Sequence, residues 1–335
     1  MSAQPFLPSF NALASCYDKR MKEFFLRPKT ELKKVFRNED TRFMLFTGLK
    51  VAGISLVVNL FVYGCLLQIM RLNYAFFKAN GFPDFQDETV FYNYILAEAM
   101  DSVPVLFAFH IFLFFIGTYV GYVILRPFRT IGEYCETVIN NPNAIYKVDE
   151  FSNYKLLTRF SEFFFEYLRE ARKKGEITTN SIPPQFSRIH KPVVDRIFML
   201  HFGILLVIIG ISSCLFIIEN ASGVFQNMIE LASKTLPKSK YSNEFFSNQM
   251  FVMDDMVTLT IVLITASYLS LGLHLYEKVS GAAFGIFSTM RAFMKGNHFS
   301  RVHLLGFAHV RENTRKLNKY LDYIQNNLDK QKPKG

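Results

Sequence analysis

Asp40-Thr-Arg-Phe-Met-Leu-Phe-Thr-Gly48 and Asp195-Arg-Ile-Phe-Met-Leu-His-Phe-Gly203 agree at five of nine positions, and each opens a long apolar segment. The register persists downstream with a shift of 154 or 155 residues: Asn93 falls on Asn248, Asp101 on Asp255, Tyr122 on Tyr276, Asn143 on Asn297, and Lys147-Val148 on Arg301-Val302. A fixed period of this kind predicts one structural unit used twice in tandem.

The apolar residues, 50% of the chain, concentrate in four segments rather than alternating with helical or strand periodicity. Transmembrane helices are expected at 43–70, 103–125, 197–218 and 257–275, each near or above the ~20 residues that cross a hydrocarbon core. Lys and Arg number 9 in residues 1–42, 2 between the first two spans, 12 from Arg126 to Arg196, 3 between the last two spans and 11 after Leu275. Cationic flanks are retained on the cytoplasmic side, so both termini and the central segment are expected there, in a multi-pass protein of the plasma membrane. The net charge of +10 then reflects basic flanks facing anionic headgroups, and no nucleic-acid motif accompanies it. Residues 1–42 lack an apolar signal core, so the first span is expected to act as an uncleaved anchor. Cys16, Cys65, Cys135 and Cys214 have no paired spacing, which argues against both a zinc site and a disulfide framework.

These observations divide the chain into a basic leader (1–42), a two-span unit (43–126), a helical pair (127–174), a linker (175–195), a second two-span unit (196–276), a second helical pair (277–328) and a tail (329–335). The leader from Tyr17 to Arg37 reads as an interfacial helix interrupted at Arg27-Pro28. The outer segments, ~30 residues each, contain the turn-like Asn80-Gly-Phe-Pro83 and Thr235-Leu-Pro-Lys-Ser239, and are too small for an ordinary ligand-binding domain. Each second span continues into an amphipathic helix, a connector of ~10 residues and another amphipathic helix, with breaks at Asn140-Asn-Pro-Asn143 and Lys295-Gly-Asn297. In the closing helix Val310, Thr314, Leu317, Leu321, Ile324 and Leu328 follow steps of four and three, a coiled-coil seam. Leu156, Phe160, Phe163 and Tyr167 occupy those steps 154 residues earlier. Gly175 to Pro192, with Pro183-Pro184, reads as an extended linker.

Within the spans, Gly117-Thr-Tyr-Val-Gly121 has the spacing of a close helix contact, and Gly203 and Gly210 lie at heptad spacing. Asp101 and Asp255 form a repeat-related outer pair, expected as N-caps of the second and fourth spans, with cation binding or pH sensing as the functional alternative. His110, His201 and His274 are expected to make interhelical hydrogen bonds, and Lys50 to snorkel toward the cytoplasmic face. No nucleotide loop, zinc-protease motif, nucleophile elbow or metal-ligand cluster is present, so neither a catalytic site nor a cofactor is expected.

Two spans followed by helix, connector and parallel helix resemble the HAMP module of bacterial chemotaxis transducers and sensor kinases. Arg126-Pro127 matches the proline after the second span, where the second unit has Gly281, and Leu317-Asn318 matches the hydrophobic–Asn pair of the closing helix. Ala308-His309 and Tyr154-Lys155 stand where the family carries acidic residues, although Asp149-Glu150 lies slightly upstream, and Phe163-Phe164 lacks the Asn. The resemblance implies a parallel four-helix bundle, here assembled from one chain as an intramolecular pseudo-dimer or by homo-oligomerisation. It further implies a noncatalytic relay or scaffold, with Pro127, Leu156, Phe160, Phe163, Val310, Leu317, Asn318 and Leu321 in packing roles. The partners expected are the bilayer and a separate cytoplasmic protein, and the alternative function is a transporter, channel or structural subunit.

Overall fold

The computed structural model describes residues 38–79, 88–146, 155–187, 196–235 and 240–331, which form helices with no strand among them. We label these α1 (Glu39–Ala79), α2 (Glu88–Asn140), α3 (Lys155–Lys174), α4 (Pro184–Ser187), α5 (Arg196–Thr235), α6 (Lys240–Met294) and, after a 3-10 turn at Ala308–Val310, α7 (Arg311–Gln331). The 17–37 leader, the turns at 80–83 and 236–239, and Lys147 to Tyr154 lie outside the described residues, as do the side chains of Asp101, Leu156, His201 and Leu328.

Helices α1, α2, α5 and α6 are long and apolar enough to cross a membrane, which makes this an all-helical multi-pass membrane protein. Their outward faces carry Val57, Leu60, Phe107, Phe115, Leu215 and Leu269, all exposed. Apolar surface on this scale is an aggregation hazard in water and an ordinary lipid-facing surface in a bilayer.

The helices far outrun the spans. Helix α2 has 53 residues and α6 has 55, about 80 Å each at 1.5 Å per residue against ~30 Å of hydrocarbon. The outer segments are therefore mostly helical extensions, and this corrects the reading of Asp101 and Asp255. Helix α2 begins at Glu88 and α6 at Lys240, so both aspartates lie inside continuous helices and cannot be N-caps. Asp255 is exposed. At the other end, α2 runs through Pro127 without a break and α6 through Gly281, so each span and its following amphipathic segment is one rigid element. The chain breaks fall where the Asn-Pro and Gly-Asn signals lie, after Asn140 and Met294, with Gly296 at φ +103°.

Packing inside the membrane differs between the two span pairs. A Cβ on Gly117 would stand 2.9 Å from the Gly48 Cα, and one on Gly121 would stand 2.9 Å from the Met44 Cα, so α1 and α2 touch backbone to backbone. Gly203 instead faces open space and Gly210 meets only Tyr268 at 3.6 Å, so the heptad-spaced pair makes no close crossing. A groove of about 330 Å³ lined by Phe202, Leu206 and Leu273 lies between α5 and α6.

Polar side chains tie the two pairs together. The Tyr268 hydroxyl donates to the Val51 carbonyl at 3.0 Å and lies 3.2 Å from the Ser213 hydroxyl, joining α6, α1 and α5. Gln249 donates to Asn73, which in turn donates to the Met228 sulfur at 3.9 Å. Asn73 and Met228 are 155 residues apart, so α1 and α5 meet at corresponding positions of the two halves. Of the span histidines, His110 bonds the Leu106 carbonyl of its own helix at 2.7 Å rather than another helix. A side chain one turn from a free carbonyl lone pair needs no interhelical partner.

Candidate functional site at the basic ends of the spans

Beyond the spans, on the side where Lys and Arg concentrate, four helical segments run side by side in the same direction. Along α2 and α7, Gly132 meets Asn313 and Glu136 meets Lys316, so residue numbers rise together. Along α6 and α3, the Phe287 ring lies tilted against Phe160 at 4.4 Å and Phe293 meets Phe164 edge-on at 6.1 Å. Each closing helix thus packs on the span extension of the opposite half. Phe165 and Tyr320, 6.0 Å apart, join α3 to α7 at the centre.

Burial defines the seam. In α7 and the 3-10 turn before it, Val310, Asn313, Thr314, Leu317, Tyr320, Leu321 and Ile324 are buried, as their alternating steps of three and four require. In α3 Leu157, Phe160, Ser161, Phe164, Phe165, Tyr167, Leu168 and Ala171 are buried. All but Phe165, whose counterpart is the half-buried Asn318, match the α7 set at a shift of 153, not 154. The first connector is one residue longer, and one residue turns a helix by about 100°. Phe163 consequently leaves the seam, half buried against Phe186 at 6.3 Å, while Phe160 stays in it.

The connectors are clamped from their closing helices. The Asn318 side chain accepts from the Val302 N–H at 2.8 Å and donates to the Val302 carbonyl at 3.0 Å, satisfying a segment with no regular structure of its own. Arg301 reaches Asp322 and Gln325 of α7, each at 2.8 Å, and the carbonyls of His298 and Ser300. Gly281 makes room for the Phe307 ring, whose edge would lie 2.6 Å from an added Cβ. On the other half, Arg172 donates to the Pro142 carbonyl. The described part of the linker lies against the bundle: the Tyr167 hydroxyl holds the Thr178 carbonyl at 2.8 Å, Asn180 N–H bonds the Met294 carbonyl at 3.2 Å, and Phe186 is buried against Phe160. Apolar residues at Ile177, Ile182 and Phe186 explain why this Pro-rich segment adheres to the bundle.

Where α7 begins, a polar junction ties it to the spans. Asn38 caps α1 by accepting from the N–H groups of Asp40 and Thr41 at 2.9 and 3.3 Å. That cap frees Asp40 to turn inward, where its Oδ2 accepts from Asn313 at 3.1 Å and lies 3.9 Å from Arg129. Asp40 is 5% exposed and its Oδ1 has no partner among the described residues, so it depends on Asn313 and Arg129 to stay buried. At the rim, Glu39 pairs with Arg311 at 3.0 Å, and Lys316 pairs with Glu136 at 2.8 Å and Glu312 at 3.6 Å. The hydrogen bond with Glu136 raises the Lys316 pKa. Beside them the His309 ring stacks on Phe43 at 4.6 Å and its Nε2 donates to the Lys278 carbonyl at 3.3 Å. Helices α1, α2 and α6 therefore all contact the first turns leading into α7.

His309 makes the junction acid-sensitive. Burial lowers its pKa from 6.5 to about 4. A depressed histidine stabilises the fold fully above its unfolded value, and that contribution is lost as pH falls from about 6.5 through 4, on the order of 3 kcal/mol in all. Hydrogen exchange across residues 308–331 is expected to accelerate in this window, and His309→Phe is expected to remove the pH dependence. An unchanged exchange profile down to pH 4 would contradict this role.

The structure brings Val310, Leu317, Leu321 and Phe160 into one buried seam, places Asn318 on the connector and buries Pro127 within α2. It adds Arg129, Gly132 and Asn313, which sequence reasoning passed over, and it gives a packing role to Asp40 and His309, which the sequence showed only as the head of the repeat and as a departure from the HAMP pattern. The repeated Asp at the head of each unit, Asp40 and Asp195, was the available signal. Among the described residues, no group of three or more His, Cys, Asp or Glu is placed to hold a metal. Comparison with protein-family models, with curated proteins and with solved structures finds no match for this chain.

Proposed function

We propose that this protein is a noncatalytic membrane relay in which two HAMP-like units pair within one chain and pass span movements to a separate cytoplasmic protein. The basic side of the spans and both termini face the cytoplasm in this reading. The observation that carries it is the junction at Asp40, Asn313 and His309. A shift of α1 or α2 along its axis alters the seat of α7 directly, because no flexible segment intervenes between them. Packed seams favour discrete arrangements over continuous deformation, which is the property a relay requires. The exchanged packing, α7 on α2 and α3 on α6, supports internal pairing as the substitute for homodimerisation.

The partner would engage the far end of the bundle. Ile145 and Phe299, 154 residues apart and corresponding in the two connectors, are 66% and 80% exposed. Large apolar side chains held in water at matching positions are the usual core of a docking patch. Copurification from native membranes followed by mass spectrometry is expected to recover a cytoplasmic protein with the wild type. The Ile145→Ser/Phe299→Ser double variant should lose it by about tenfold or more, the scale of two apolar anchors. Undiminished recovery with the double variant contradicts the docking assignment, and substrate flux in proteoliposomes without any partner would favour a transporter instead.

A further inference from the structure

Lys50 lies two turns inside the first apolar span, and it is not paired with a carboxylate among the described residues. Its ammonium instead sits 3.3 Å from His274 Nε2 on α6. Both side chains are exposed on the outer surface of the bundle, where the bilayer lies. From this pair a groove of about 770 Å³ runs between α1 and α6, lined by Gly53, Ile54, Val57 and Val58 on one wall and by Ala266, Ser267, Ser270 and Leu271 on the other. Eight residues separate His274 from Ala266, roughly 12 Å of helix. The Ser270 hydroxyl is spent on the Ala266 carbonyl at 2.8 Å, so the groove floor offers mainly hydrocarbon contact.

A cationic residue within a span costs about 2.5–3.5 kcal/mol unless it finds an anion or reaches water. Simple snorkelling would send the ammonium toward the basic side, yet here it is turned across to α6 at the head of the groove. Glu277 and Lys278, one turn further along α6, offset one another and leave the Lys50–His274 pair net donating. The corresponding positions in the other half, Leu205 and Val120, are apolar, so only the α1–α6 seam carries this combination. The Lys50 ammonium donates to His274 Nε2 and keeps further N–H groups to offer, which leaves the imidazole proton on Nδ1. A charged donor beside a second ring N–H, above an apolar trough, matches an amphiphile with an anionic oxygen head and a hydrocarbon tail.

We propose that the groove between α1 and α6 binds one anionic phospholipid, with its phosphate on Lys50 and His274 and an acyl chain along Ile54, Val57, Val58 and Leu271. This site is independent of the relay reading. The full chain, delipidated and given equal phosphatidylglycerol and phosphatidylcholine of identical chains, is expected by native mass spectrometry to retain the former about tenfold better. Lys50→Gln/His274→Gln is expected to abolish that preference, while Arg126→Gln leaves it intact. Excess inorganic phosphate should not displace the lipid, since it cannot fill the groove; displacement would overturn the acyl-chain assignment. Equal retention of both lipids by the wild type, or an unchanged preference in the double variant, would overturn the site. On the unaltered protein, phosphatidylglycerol with a photoreactive acyl chain should label residues 53–58 and 266–271, and labelling confined to other segments would overturn the site even if the double variant failed to fold.

Discussion

Leu317→Asp is expected to release α7 from the bundle while leaving the four spans assembled. Leu317 is fully buried in the seam between α7 and its neighbours. Losing its apolar burial costs roughly 1.5–3 kcal/mol, and an unpaired carboxylate buried in its place costs about 3–5 kcal/mol more. That sum is comparable to the whole stability of a small domain, about 5–15 kcal/mol, while the spans are held separately by glycine contacts and the Tyr268 hydrogen bonds. Amides of residues 311–331 should therefore exchange at nearly unfolded rates in proteoliposomes, and those within the spans should stay protected. Lys319→Asp, on the exposed face of the same helix, should change little. Retained protection of α7 in Leu317→Asp would show that the seam does not hold it.

Gly117→Leu is expected to force the first two spans apart. A Cβ there meets the Gly48 Cα at 2.9 Å and the Val51 Cβ at 2.8 Å, and neither can rotate away. The α1 and α2 backbones must separate, which also loosens the approach of Gly48 to the Phe114 carbonyl and the seating of Asp40 between Arg129 and Asn313. Overpacking of this kind costs about 1–3 kcal/mol, and the rigidity of backbone on backbone puts this site at the upper end. Unfolding in mixed detergent should register the loss. Gly203→Leu, at the corresponding position to Gly48 in the second half, points into open space and should be neutral. Equal effects at the two sites would mean that the span pairs are packed alike.

The contrast between those glycines shows what the sequence reveals and what it hides. Four apolar runs and the Asn-Pro and Gly-Asn breaks expose the spans and the ends of α2 and α6, because length, hydropathy and turn chemistry are local properties. Gly117 and Gly203 look equivalent as small residues in apolar helices, and only the crossing geometry separates a contact from a void. The closing-helix register was legible in α7, where steps of three and four are nearly pure. In α3 aromatic residues occupy adjacent positions from Phe163 to Phe165, so the pattern fits two faces, and the extra connector residue selects the other one. Asp40 resembles a helix cap by composition, but Asn38 performs that task and Asp40 is buried against a residue 273 positions away. Long-range polar pairs of this sort leave no periodic trace. Asp101 and Asp255 misled for the converse reason: they stand at the edge of hydropathy but not at the edge of the helix.

The account rests on the two halves interlocking within one chain, α7 on α2. A Cβ at Gly132 would lie 3.1 Å from the Asn313 Cβ, a few tenths of an ångström from the ~3.5–4.5 Å separation of disulfide-linked residues. The decisive measurement is therefore oxidation of Gly132→Cys/Asn313→Cys in membranes, in a chain with Cys16, Cys65, Cys135 and Cys214 replaced, using mixed tagged and untagged copies. The account predicts a disulfide within single chains, seen as a mobility shift of the monomer with no tagged–untagged product. Crosslinks found only between chains, or none under conditions that oxidise exposed thiols, would contradict it.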